Sequence, residues 1–159
     1  MILVTVGSQK FQFNRLLEAV DNLIEEGIIQ EDVFAQTGYC TYVPKHYPFR
    51  QFFNTVDFNE LLGKADIMVT HAGTGVIIKA VKLGKRVIAV PRKKEFGEHV
   101  DDHQQQIVDV FTESGLIYGC KDCSELETAL REVRLMKLSR YVSCTDRIID
   151  SIDQFIQEC

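Results

Sequence analysis

The chain has 159 residues, 45% of them apolar and 26% charged, with a formal net charge of −5. That length suits one domain, residues 1–159, with a sizeable core rather than two, and the composition is ordinary for a soluble globular protein. The negative balance excludes a global basic field that would attract nucleic acid, and no apolar run approaches the ~20 residues needed to span a bilayer.

In chain order, Ile2 to Val6 is a β-branched run stopped by Gly7-Ser8 and reads as a strand and turn. The opening MILVTVGSQ carries no basic leader or cleavage site, so it is not read as a secretory signal. Phe13, Leu16, Leu17, Val20, Leu23 and Ile24 recur at helical spacing. Val33 to Gln36 is a brief second strand, and Tyr39 to Phe49, with Pro44 and Pro48, reads as irregular. A third strand is expected over Arg50 to Thr55, then a short helix capped by Asp57 and running through Leu62. Ile67 to Thr70 reads as a buried strand, Val76 to Leu83 as a helix, and Arg86 to Val90 as a strand stopped by Pro91. Arg92 to Gly97 is expected to be an exposed loop, followed by a helix over Val100 to Phe111 and a last strand over Leu116 to Tyr118. Ser124 opens a helix to about Leu135. A final helix, about Ser139 to Ile156, carries an apolar stripe of Tyr141, Ile148, Ile149, Ile152, Phe155 and Ile156. That stripe suits packing on its own sheet or contact with a partner.

Strands alternating with helices imply βαβ units and a doubly wound, mainly parallel α/β sheet of Rossmann-like type. Such sheets bind ligands beyond the carboxyl ends of their strands, so Gly7, His71 and Pro91 should meet on one rim. The five cysteines are scattered, which fits reduced thiols; Cys120 and Cys123 have redox spacing or are two ordinary thiols at a turn.

Three clusters on the rim have chemical character. Gly7-Ser8 allows close backbone approach to a phosphate, with Ser8 as a donor, or is a plain turn. VTVGSQ is not GxGxxG, and Gln36 rather than an acid closes the second strand, which disfavours a dinucleotide cofactor. In His71-Ala-Gly73-Thr74-Gly75, backbone N–H groups at a helix start form an anion site to which His71 adds a donor; a tight turn with a core histidine is the plainer alternative. From Glu98 to Gln106, paired amides and imidazoles suit sugar hydroxyls, which both donate and accept. Glu98, His99, Asp101, Asp102 and His103 are also of metal-ligand type, but near-consecutive residues point in divergent directions, so no metal site is expected.

The order strand, HAGTG, helix, LGK, strand, VP, loop, DDHQQQ resembles the donor-binding, C-terminal half of GT-B glycosyltransferases, family 28 in particular. It is most similar to the small subunits of two-component enzymes: the catalytic subunit of the dolichol-linked UDP-N-acetylglucosamine transferase and, closer, those of bacterial capsule or exopolysaccharide glycosyltransferases. MILVTVGSQ, VFAQTG, ADIMVTHAGTG, VPR and GEHVDDHQQQ carry the resemblance, which covers nearly the whole chain. It implies a UDP-sugar donor, a lipid-linked saccharide acceptor, no cofactor, and a separate membrane-associated acceptor subunit. The chain itself would be cytoplasmic, peripheral at the inner face of the membrane through that subunit; in isolation a homo-oligomer could instead cover the C-terminal apolar stripe. It also implies roles: His71, Gly73, Thr74 and Gly75 at the donor diphosphate, Gly7 and Ser8 at the glycine turn beside it, and His103 and Gln104, with Gln105 if the register slips, at the sugar. His71 and Glu98 are the candidates for catalysis, with Asp101 and Asp102 open beside Glu98 for an acid–base or positioning role. One departure stands out: Lys79 occupies the place where relatives often carry an acid for the ribose hydroxyls. That departure favours a second reading, a non-catalytic interaction subunit of the same fold.

Overall fold

The computed structural model describes residues 1–142. Six strands form one all-parallel sheet: β1 (Ile2–Thr5), β2 (Val33–Gln36), β3 (Phe49–Arg50), β4 (Ile67–His71), β5 (Arg86–Val90) and β6 (Tyr118–Gly119). Their order is β3-β2-β1-β4-β5-β6. The helices between them are α1 (Asn14–Glu25), α2 (Thr55–Lys64), α3 (Thr74–Lys82), α4 (His103–Glu113) and α5 (Leu126–Leu135).

Strand residues alternate between two cores because successive Cβ atoms point to opposite faces. Ile2, Val4, Val6, Ile67, Val69, Ile88 and Val90 pack on one face with Leu16, Leu17 and Val20 of α1 and Leu126, Ala129 and Val133 of α5. Leu3, Met68, Val87 and Ala89 pack on the other with Leu62 of α2, Ile77, Ala80 and Val81 of α3, and Val108 of α4. The central strands are therefore buried on both sides, which is why they read as unbroken apolar runs. The segment after β2 is irregular but fixed. Buried Asp21 of α1 accepts hydrogen bonds from the Tyr42 hydroxyl at 2.8 Å, the Lys45 N–H at 2.8 Å and the His46 N–H at 2.9 Å.

Four boundaries differ from the sequence expectation. The third strand is only Phe49–Arg50, because Asn54 accepts the Asp57 N–H at 2.9 Å and starts α2 where a strand was expected to continue. Asp57 thus lies inside the first turn of α2, and Asn54 is the cap. Helix α4 begins at His103, since Asp102 is held outside it by the Lys94 N–H at 2.8 Å. The last strand is displaced to Tyr118–Gly119. Of the final helix expected over about 139–156, residues 139–142 are irregular and the remainder lies outside the described residues. Tyr141 nevertheless packs against the second core.

Candidate functional site

The chain leaves β1 through α1 toward β2 on one side of the sheet, and leaves β4 through α3 toward β5 on the other. The adjacent carboxyl ends of β1 and β4 therefore form a topological switch point, where open α/β sheets have their crevice. Gly7 follows β1 with φ of +77°, a left-handed backbone that favours glycine. Gly73 is the N-cap of α3.

The imidazole of His71 lies between these two glycines. A Cβ on Gly7 would stand 2.6 Å from its Cε1, and one on Gly73 would stand 2.5 Å from its Nε2. Each glycine leaves the space that the ring occupies. His71 is 8% exposed. The Thr70 hydroxyl donates its one hydrogen to the Thr5 carbonyl at 3.0 Å. Its oxygen, 3.3 Å from His71 Nδ1, then acts as acceptor, so the neutral ring carries its proton on Nδ1 and leaves Nε2 a lone pair. Burial first, and the charge of Arg92 second, push the His71 pKa down to about 4. The group expected to donate to a diphosphate is thus a neutral acceptor in the free protein.

This predicts a pH dependence. The folded pKa is depressed from an ordinary 6.5, so the unfolded chain binds a proton that the folded chain refuses. Stability from neutral His71 is present above about pH 6.5 and is lost as pH falls toward 4, by roughly 3 kcal/mol in all. Urea denaturation of wild type and His71→Asn should show the variant losing that part of the slope; equal slopes would mean that the ring protonates freely in the folded state.

The first-turn N–H groups of α3 have no intrahelical acceptor, and no side chain caps this helix. Thr74 and Gly75 are exposed, so these donors and the positive end of the helix dipole face the crevice. A cleft of about 310 Å³ opens beside them. Gly7, Ser8 and Gly75 line one part of it, and Gln36, Phe53, Asn54, Phe58 and Lys79 line the rest. Gln36 donates to the Gly7 carbonyl at 3.1 Å and braces the turn. The Lys79 ammonium lies 5.5 Å from the centre of the Phe58 ring. Phe53 and Asn54 escaped the sequence reading because the approach to α2 was read as strand, and Phe58, expected on a short helix there, because that helix was given no place at the rim. A larger cavity of about 530 Å³ near β6, α4 and α5 is lined by Thr112, Ile117, Leu135 and Met136, far in character from an anion site.

Arg92, expected in an exposed loop, is instead 1% exposed. Its Nη2 donates to the Val6 carbonyl at 2.5 Å and the Phe11 carbonyl at 3.3 Å, while Nε and Nη1 have no partner. A fixed cation therefore lies behind the Gly7 turn and ties the β1–α1 loop. Only a charged residue directly after a strand-ending proline hinted at it.

Glu98 corrects another expectation. It is 0% exposed, and both oxygens are taken: Arg15 Nε at 2.8 Å, Arg15 Nη2 at 2.9 Å and the Lys93 N–H at 2.9 Å. Arg15 and Lys93 also share Asp122, at 2.9 and 3.0 Å. Wholly buried and held by three donors, Glu98 anchors the loop after β5 to α1, a placement that argues for a structural role. Gln104 is likewise 4% exposed, its Oε1 accepting the Arg92 N–H at 3.0 Å. Only its amide nitrogen remains for a ligand. Gln105 pairs with Asp109 along α4 at 2.8 Å, and exposed His103 turns to Asp101. The structure thus brings Gly7, Ser8 and Gly75 to one cleft, sets His71 against Gly7 and Gly73, leaves Thr74 exposed in the first turn of α3, and puts His103, Gln104 and Gln105 at the start of α4. Cys120 and Cys123 are free and buried, their thiols pushed up to about 12 by burial, which makes them poor nucleophiles. The expected divergence of the acidic segment fails for three residues: His99, Asp101 and His103 bring ligand-type atoms together.

Comparison with known proteins bears on the fold and the family. The UDP-N-acetylglucosamine transferase subunit ALG13 of Saccharomyces cerevisiae is 38% identical over 56 residues, 35% of this chain and 26% of that protein. The chain spans only 10% to 42% of the lengths of the curated relatives it matches. The solution structure of ALG13 superposes with a TM-score of 0.59 at 20% identity, covering 89% of each chain. MurG of Acinetobacter baumannii superposes at 0.58 with 19% identity, over 85% of this chain and 42% of that one. The six-stranded parallel sheet is therefore the Rossmann-like C-terminal half of a GT-B fold. Residues 1–155 match the Glycosyltransferase family 28 C-terminal domain, and the chain belongs to that family.

Proposed function

We propose that the chain is the donor-binding subunit of a two-component glycosyltransferase. It moves a sugar from a UDP-sugar to a lipid-linked saccharide presented by a separate, membrane-associated subunit. The observation that carries this reading is His71 flanked by two glycines at the uncapped start of α3, opening onto the 310 Å³ cleft. The diphosphate lies on the N–H groups of Thr74, Gly75 and Val76 beside Gly7 and Ser8. The uridine enters the cleft between Phe53 and Phe58, with Lys79 replacing the usual ribose acid by a donor. The sugar extends toward His103 and the Gln104 amide, with Gln105 at the margin.

Charge builds on the diphosphate as the glycosidic bond breaks, and donors that strengthen with that charge lower the barrier. The entering anion raises the proton affinity of His71, so the ring takes up a proton at Nε2 and becomes the charged donor. Arg92 adds fixed positive potential from behind the turn. With Glu98 locked in its ion pair, the base that activates the acceptor hydroxyl comes from the partner subunit. The similarity to UDP-N-acetylglucosamine transferase subunits makes UDP-N-acetylglucosamine the first donor to test, and the motif resemblance points to capsule or exopolysaccharide assembly as the setting. The site of action is the cytoplasmic face of the membrane, reached through the partner; among the described residues no helix is long and apolar enough to cross a membrane.

Calorimetry with UDP and a panel of UDP-sugars tests the reading. UDP should bind, and His71→Ala should weaken it by roughly 1–3 kcal/mol, the usual size for losing a charge-assisted hydrogen bond. Transfer should require co-expression of the partner. A folded chain that binds no UDP would favour the non-catalytic subunit, the reading that Lys79 supports.

A further inference from the structure

The turn into α4 brings two imidazoles and a carboxylate to one point. His99 Nδ1 stands 3.2 Å from Asp101 Oδ1, and His103 Nδ1 approaches the same oxygen more closely. One ligand-type atom from each of the three residues lies within 4.8 Å of the other two. A four-coordinate ion with nitrogen and oxygen ligands at about 2.0–2.1 Å holds them roughly 3.3 Å apart. Small rotations of Asp101 and His103, both exposed, are enough to admit one.

The frame beneath these side chains is fixed. The His99 side chain is 8% exposed, packed on the Phe11 ring at 5.1 Å and edge-on to His103 at 4.8 Å. Before it, Glu98 is clamped by Arg15; after it, Asp102 accepts the Lys94 N–H and Gln104 accepts the Arg92 N–H. Ligands on a turn anchored at both ends lose little freedom on binding an ion. Two imidazoles with one carboxylate suit zinc, cobalt or nickel; magnesium and calcium call for more oxygen ligands. Three protein ligands leave a position open to water.

We propose that His99, Asp101 and His103 form a binding site for a zinc-class divalent cation at the start of α4. The ion replaces the proton shared between His103 Nδ1 and Asp101. Its effect on transfer rests on the donor-site reading above: an ion held through His103 withdraws that imidazole from the sugar and inhibits.

The test uses the full chain. Zinc calorimetry and the visible absorption of added cobalt should report one site per chain. His99→Ala, His103→Ala and Asp101→Asn, each checked for folding by circular dichroism, should weaken it more than about tenfold, since even outer partners of metal ligands are worth that much. Magnesium should give no heat. Undiminished zinc affinity in His99→Ala/His103→Ala, or a thiolate-to-cobalt charge-transfer band that places the ion on cysteine, would overturn the site. With the assembled transferase, zinc should inhibit wild type and spare His99→Ala. Zinc binding at the three residues without inhibition would leave the site standing and remove His103 from the donor sugar.

Discussion

Arg15→Met is expected to cost the fold about 3–5 kcal/mol, the range for stranding one member of a buried ion pair. Glu98 is wholly buried, and Arg15 supplies two of the three donors that hold its carboxylate. Without the guanidinium, that charge keeps only the Lys93 N–H. Asp122 loses Arg15 as well and keeps Lys93, so the links among α1, the loop after β5 and the turn after β6 loosen together. Glu98→Gln should cost less, because a neutral amide tolerates burial better than an unpaired carboxylate. Arg15→Met with Glu98→Leu should recover most of the loss, since replacing both partners removes the stranded charge. Urea denaturation of the four proteins measures this. If Glu98→Gln abolished transfer with stability and UDP binding intact, the carboxylate would have a chemical role that its burial in an ion pair argues against.

Gly7→Ala is expected to destabilise the fold for two separate reasons. At φ of +77° a side chain costs about 1–2 kcal/mol in backbone strain. The new Cβ also meets the His71 ring at 2.6 Å, and overpacking of that kind adds roughly 1–3 kcal/mol. Gly73→Ala isolates the second contribution, because Gly73 has an ordinary φ of −77° and the nearest atoms to its Cβ would be those of the ring, at 2.5 Å from Nε2. Both variants should lose UDP affinity, since the displaced imidazole and the α3 donors share one crevice. A double-mutant cycle with His71→Ala separates the causes. Removing the ring should restore the stability of Gly73→Ala nearly to that of His71→Ala, and restore Gly7→Ala only in part. A Gly73→Ala penalty that persisted without the ring would show that the glycine serves something other than His71.

Much of this architecture is readable from local pattern, for identifiable reasons. β1, β2, β4 and β5 are short β-branched or apolar runs with turn residues after them, because strands buried on both faces tolerate little else. The spacing of Phe13, Leu16, Leu17 and Val20 shows α1 for the same reason: one helix face must fill a core. The glycines around His71 could be placed at a helix start from order alone.

What the amino-acid string could not decide depends on partners distant along the chain. Glu98 finds Arg15 across 83 positions, and Arg92 finds Val6 across 86. Nothing local distinguishes a solvated acid from a clamped one, because burial of a charge is set by whatever else packs there. The third strand was misread because the Asn54 side chain competes with the sheet for backbone hydrogen bonds, a contest that apolar pattern does not register. The protonation of His71 is likewise tertiary: it follows from desolvation between two glycines and from the nearby charge of Arg92. Sequence by itself thus determined the sheet, the rim and the residue types along it. Tertiary packing decided which of those residues face a ligand and which hold the frame, because hydrogen-bond saturation and dielectric surroundings exist only once the chain is folded.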